Sequence, residues 1–123
     1  GYYSIIKNIS FADKFPSGKN PESFLTKSYK LDHLVITKKL ITDIKFIKID
    51  AEGAEYEILL SSKRTIKKFK PTFYCEVTRK KKEIYNLFKK ENYILFHFNK
   101  KKLTKLRINT FRGGELLAIH KKK

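Results

Sequence analysis

The chain has 123 residues, a net charge of +17 and an apolar content of 41%, with 10 Phe and 7 Tyr, which suits one folded domain and argues against disorder. No apolar run approaches the roughly 18 residues of a membrane span, and residues 1–12 show neither the apolar region nor the cleavage site of a signal peptide. A single cysteine, Cys75, excludes an internal disulfide and fits a reducing, cytoplasmic setting.

The basic side chains are 25 Lys and only four Arg. A nucleic-acid or anionic surface is one reading of that charge. A lysine-rich solvated surface is the other, and it is favoured because nucleic-acid readers lean on the planar fork of Arg. The runs Lys80–Lys82, Lys100–Lys102 and Lys121–Lys123 fall at expected element boundaries and in the tail.

In chain order, Tyr2–Ile6 reads as a short strand. Pro16, Gly18 and Pro21 make residues 13–23 a loop. Leu25 to Leu31 alternate with polar residues as an extended piece, and Asp32 is placed to cap a helical turn holding Leu34 and Val35. Ile44–Ile49 has the character of a strand covered on both faces. Ala54–Phe69 is expected as one helix, with Ile58, Leu59, Ser62, Ile66 and Phe69 at helical spacing, ended by Pro71. Thr72–Val77 is a second strand and Lys81–Glu91 a second helix, with Asn92 as its left-handed stop. Tyr93–Phe98 is a third strand, Leu103–Leu106 a short edge element, Gly113-Gly114 a turn and Glu115–His120 the last strand. The early strand–helix–strand order demands right-handed parallel crossovers, and the final two strands can pair antiparallel.

Four of the 12 acids, Asp50, Glu52, Glu55 and Glu57, fall within eight residues where a strand runs into a helix. That is where open α/β sheets bind ligands. Asp50 and Glu76 are expected at the carboxyl ends of neighbouring parallel strands about 4.8 Å apart. There they can share a crevice, and mutual repulsion with partial burial would raise one pKa toward that of a general base. Glu55 and Glu57 suit the positive end of the helix dipole, Glu52 divides between a helix-start role and the site, and Gly53 serves the tight turn. Asp50 with Glu52 is weak as a cation site without histidine support. His97 lies near a strand end, where a packed or surface role is the commoner one. Cys75 reads as a buried small residue rather than a nucleophile.

The stretch Ile-Lys-Ile-Asp-Ala-Glu-Gly-Ala-Glu at 47–55 resembles the hallmark of the FkbM-type S-adenosylmethionine-dependent methyltransferases. Lys30-Leu31-Asp32-His33-Leu34 upstream, and Lys70-Pro71 followed by a strand ending Cys75-Glu76-Val77, resemble its flanks. The resemblance covers residues 25–98 well and the last strand loosely. It implies an α/β fold: a partial Rossmann-like methyltransferase sheet with parallel strands, helical crossovers and an antiparallel last strand. Residues 1–24 stay unassigned, 25–120 form the C-terminal half of such a domain, and 121–123 are a basic tail.

By the same resemblance the cofactor is S-adenosylmethionine, the reaction O-methyl transfer to a hydroxyl of a sugar or small metabolite, and the acceptor a small molecule or glycan. Asp50 and Glu76 are the catalytic candidates, and Asp50 and Glu52 the cofactor-side ones. The family's glycine-rich cofactor loop is absent, since no Gly-x-Gly segment exists among the five Gly. Gly1-Tyr2-Tyr3-Ser4 suits the end of such a loop, but only about 40 residues then precede Asp50, too few for two strand–helix units of about 30 residues each. The expectation is a C-terminal fragment of a methyltransferase, inactive by itself, or a truncated relative. A metal-dependent nuclease fits poorly, because Thr78 rather than a basic residue stands two after Glu76. A basic nucleic-acid-binding module without catalysis is the other alternative.

Overall fold

The computed structural model describes residues 2–6 and 24–122. Gly1, most of the unassigned N-terminal segment, including the loop expected over residues 13–23, and Lys123 lie outside the described residues.

Two sheets form. Strand β1 (Tyr2–Ile6) pairs antiparallel with β2 (Phe24–Ser28). The second sheet has five strands: β3 (Phe46–Ile49), β4 (Thr72–Val77), β5 (Tyr93–Asn99), β6 (Lys102–Lys105) and β7 (Gly114–His120). Its spatial order is β3-β4-β7-β5-β6. Between β3 and β4 run helices α1 (Glu55–Leu60) and α2 (Lys63–Phe69), and α3 (Lys81–Lys90) joins β4 to β5.

Only β3 and β4 are a parallel pair, and every other pairing in this sheet is antiparallel. The expected run of parallel strands is thus interrupted. Strands β4 and β5 do point the same way, because both pair antiparallel with β7, but β7 is inserted between them. Two turns make the insertion possible. Lys100 and Lys101, both left-handed (φ 48° and 66°), reverse the chain tightly from β5 into β6. Gly113 (φ 94°) then turns the chain into β7. A Cβ there would lie 2.9 Å from the Val77 carbonyl oxygen, so only glycine fits.

All three helices lie on one side of the sheet. On that covered face Phe73, Cys75, Val77, Leu95, Leu116 and Ala118 meet Leu59 and Ile66 of α1–α2 and Ile84, Leu87 and Phe88 of α3. Leu106 and Phe111, from the stretch between β6 and β7, complete this core. Tyr93 is fully buried in it, with its ring 5.2 Å from Phe88, 5.9 Å from Phe73 and 5.1 Å from His120. Its hydroxyl donates to the Pro71 carbonyl at 2.7 Å.

The expected single helix over Ala54–Phe69 is two. Ser61 and Ser62 both turn their hydroxyls back onto the Ile58 carbonyl, at 2.9 and 2.7 Å, which offers the backbone an alternative to the helical ladder. Asp32 caps a helix, but not its own turn. It is itself helical (φ −56°, ψ −37°) and makes no cap bond to the π-type turn His33–Thr37 that follows. Its carboxylate instead accepts from the Arg64 and Thr65 amides at 3.0 and 2.8 Å and from the Thr65 hydroxyl at 2.7 Å. Ser62, the residue at the cap position of α2, has its hydroxyl engaged elsewhere, so Asp32 caps the helix in its place, from 32 residues before Arg64.

Burial, followed by the charge of Glu55, pushes the Cys75 thiol up from 9.0 to about 12. Burial does the same to the Tyr93 phenol, with Glu91 adding to it. A raised pKa means the fold favours the protonated form. Its contribution is fully present below pH 9.0 and is lost as pH rises toward about 12. We therefore expect stability to fall between pH 9 and 11 by up to about 1.4 kcal/mol per pH unit for Cys75 alone. Urea unfolding at pH 8 and pH 10.5 checks this. The Cys75→Ala variant, less stable at pH 8, should show a flatter alkaline decline.

Candidate active site

The acidic cluster is organised by its one buried member. Glu55 is 1% exposed, and its carboxylate accepts from the Ala51 amide at 2.7 Å and from the Gly53 amide at 3.1 and 3.3 Å. This gathers residues 51–54 into a tight turn, closed by the Ala54 amide on the Ala51 carbonyl at 3.2 Å. Both central residues are left-handed, Glu52 at φ 51° and Gly53 at φ 102°. Glu52 is carried to the exposed tip of the turn.

Arg79 holds the turn from outside. Its guanidinium donates to the Gly53 carbonyl at 3.0 Å and to Glu57 at 3.3 Å. Its side chain passes so close to Gly53 that a Cβ there would lie 2.9 Å from Arg79 Cδ. The Arg79–Glu57 pair is about half exposed and contributes little by itself (0–1 kcal/mol at most). The loop-shaping roles therefore fall to Glu55 and Arg79, and Asp50 enters the turn unengaged by either. The sequence pattern pointed to Glu55 as a helix-start acid. Arg79 carried no such signal, since its partner loop lies more than 20 residues upstream.

Glu55→Ala removes the acceptor for two amides, that of Gly53 buried. We expect a loss of about 2–3 kcal/mol and faster hydrogen exchange at Ala51 and Gly53. Glu55→Gln, which keeps one acceptor oxygen, should lose less. Urea titration and amide exchange by NMR measure both.

Asp50 follows the Ile49–Cys75 pair at the carboxyl end of β3 and is exposed. It lines a 360 Å³ crevice along the outer side of β3. The walls are mainly apolar, from Leu31, Leu34, Ile47, Ile49 and Ile58, with Tyr29 at one side. Lys30, Lys48 and Ser61 are its other polar members, so Asp50 is the only carboxylate in the lining among the described residues. The volume is in the range of small-molecule sites.

Glu76 occupies the equivalent place at the end of β4 but does not line that crevice. It stands directly opposite Glu115 of β7. The phenol of Tyr74, on the same side of β4, hydrogen-bonds Glu115. That bond, then burial and the charges of Glu115 and Glu76, hold its pKa above the ordinary value. Glu115 and Tyr74 escaped the sequence reading, because the β4–β7 register that joins them is set by topology and not by any local motif. His97 points to the covered side, edge-on to Phe111 at 6.4 Å, and is a packing residue. Among the described residues no three His, Cys, Asp or Glu side chains gather as a metal site, and no helix is long and apolar enough to cross a membrane.

The model of the Methyltransferase FkbM domain matches residues 7–106. The chain belongs to the FkbM methyltransferase family. Comparisons with curated proteins and with solved structures each found no match. The matched span contains the Asp50 turn, the crevice and Glu76, and ends just before Arg107. In this family member the acids of the turn are unequal: Glu55 shapes it, Glu52 caps its tip, and Asp50 faces the crevice.

Proposed function

We propose that this FkbM-family chain forms the acceptor side of an S-adenosylmethionine-dependent methyltransferase that acts on a hydroxyl of a sugar or small metabolite. The observation that carries the reading is Asp50, at the carboxyl end of a parallel strand and, among the described residues, the sole acid of an apolar-walled crevice. In this reading β3, β4, β5 and β7 are the fourth to seventh strands of a Rossmann-like methyltransferase sheet. The reversed last strand, between β4 and β5, supports that correspondence.

The residues present do not make a full cofactor site. The chain has no Gly-x-Gly segment, and Glu52 is turned to solvent. We therefore assign only the acceptor chemistry to this chain. Asp50 accepts a hydrogen bond from the acceptor hydroxyl and takes its proton as the oxygen becomes nucleophilic. The apolar walls orient the rest of the acceptor and limit water. Lys30 and Lys48 sit in the same lining, where they can donate hydrogen bonds to the acceptor's other oxygens. Glu76, one strand away, is proposed as a second acceptor-side carboxylate.

The test is transfer of a radiolabelled methyl group from S-adenosylmethionine to a panel of sugars and small hydroxylated metabolites. The protein is assayed as residues 1–123 alone, and joined to a polypeptide that carries a family-type glycine-rich loop. The expected result is transfer by the joined protein and none by residues 1–123. Turnover by residues 1–123 alone would contradict the division of labour. Methylation restricted to amines or thiols would contradict the hydroxyl acceptor.

A further inference from the structure

The end of the sheet opposite Asp50 holds a second cavity, of 190 Å³. Three segments distant in sequence build it. Lys67 and Lys70 come from the end of α2, Glu91 and Asn92 from the turn between α3 and β5, and His120 and Lys122 from the end of β7. The backbone behind them is fixed. Tyr93 pairs with His120 across β5 and β7, and its hydroxyl holds the Pro71 carbonyl beside Lys70. The Lys121 amide donates to the Asn92 carbonyl at 3.0 Å, and the Lys122 amide to Nδ1 of the buried His120 at 3.1 Å. The lining side chains are therefore presented by a frame already in place, which lowers the ordering cost of holding a ligand.

Charge decides what fits. Three lysines face one carboxylate, Glu91, among the described residues of the lining. Helices α2 and α3 also end here, and each C-terminus is equivalent to about half a negative charge, which leaves the pocket about one positive charge in excess. The helix ends do not account for all the lysines. Helix α3 has Lys89 and Lys90 in its own last turn, outside the lining, and Lys122 comes from another element. Lys70 stands at the left-handed stop of α2 (φ 49°), where glycine is the favoured residue. Lysine ammonium groups are point charges that suit a tetrahedral phosphate, and among the described residues the lining has no arginine fork for a planar carboxylate. The volume lies below the roughly 300–1,000 Å³ of sites that enclose a drug-sized ligand. The pocket therefore takes a small anionic group and leaves anything attached to it outside, past the exposed Lys67, Asn92 and Lys122.

We propose that this pocket binds a phosphate group, with Lys67, Lys70 and Lys122 as its cationic donors and the Asn92 side chain as a neutral one. None of these residues lines the Asp50 crevice. The proposal does not depend on the methyl-transfer reading.

The test is an NMR titration of the 123-residue chain with inorganic phosphate, glycerol phosphate and acetate, at an ionic strength held constant with sodium chloride. Phosphate should give saturating shifts at the Lys70, Asn92 and Lys122 amides and at the His120 ring, with a Kd of about 1 mM or below. Acetate should bind at least tenfold more weakly. The Lys67→Gln, Lys122→Gln double variant, altered only at exposed positions, should also bind phosphate at least tenfold more weakly. Lys70→Gly should weaken binding at least threefold while stability in urea holds or rises, because glycine suits the left-handed stop. Three results would overturn the proposal: shifts that do not saturate and spread over the lysine surface, an affinity unchanged by the double variant, or acetate binding as tight as phosphate. Glycerol phosphate identifies the source of the group. Tighter binding than inorganic phosphate assigns the pocket to a phosphoryl group on a larger molecule, and weaker binding assigns it to free phosphate.

Discussion

Replacing Tyr93 by alanine is expected to remove about 4 kcal/mol of stability. The ring is fully buried and sits within 6 Å of three others, those of Phe73, Phe88 and His120. These rings tie β4, α3, β5 and β7 together, so the cavity opens where four elements meet and cannot close by moving one of them. Phe73 and Phe88 also contact each other, with centroids 5.3 Å apart, and would hold the cavity walls in place. The hydroxyl adds a separable part. Tyr93→Phe keeps the ring and strands the Pro71 carbonyl, which should cost about 1–2 kcal/mol. A chain of this length has about 6–18 kcal/mol in total, so the alanine variant loses a large share of it. Urea unfolding of wild type, Tyr93→Phe and Tyr93→Ala measures both steps. A loss below about 2 kcal/mol for alanine would mean the cluster relaxes far more than its packing suggests.

The same ring cluster shows what could be read from the chain and what could not. Local pattern was enough for the bounds of β4, for α3 to within a residue, and for the left-handed Asn92, whose φ is 67°. Each rests on contacts between near neighbours in sequence. Pairing partners were less accessible. Nothing in Glu115–His120 says that it enters between β4 and β5, because its pairing partners lie far from it in sequence. The break at Ser61–Ser62 was hidden for another reason. The apolar spacing runs on through it, and two hydroxyls on one carbonyl decide the outcome.

The site divides in the same way. That the 47–55 stretch is special was legible from charge alone, since acids concentrated in so basic a chain need a cause. Which acid does what was not. Glu55 and Asp50 are alike in sequence terms, yet one is buried on two amides and the other lines a crevice. Asp32 is the mirror case. Its cap role was readable from its residue type, but the helix it caps is distant in sequence and adjacent only in the fold.

The second large effect concerns Asp50. Asparagine has the same shape and can still accept a hydrogen bond from an acceptor hydroxyl, but it cannot take the proton. Loss of a positioned general base lowers turnover by about 10²–10⁴-fold. KM should change little, because the apolar walls that hold the acceptor are untouched. The fold should also survive, since Asp50 is exposed and the turn after it is held by Glu55 and Arg79.

The most direct test is therefore the kcat of methyl transfer by the loop-completed protein, wild type against Asp50→Asn, with the amide spectrum of each as a check on folding. The account predicts a loss of at least 100-fold in kcat and an unchanged spectrum outside residues 49–54. Wild-type kcat in a folded Asp50→Asn protein would contradict it.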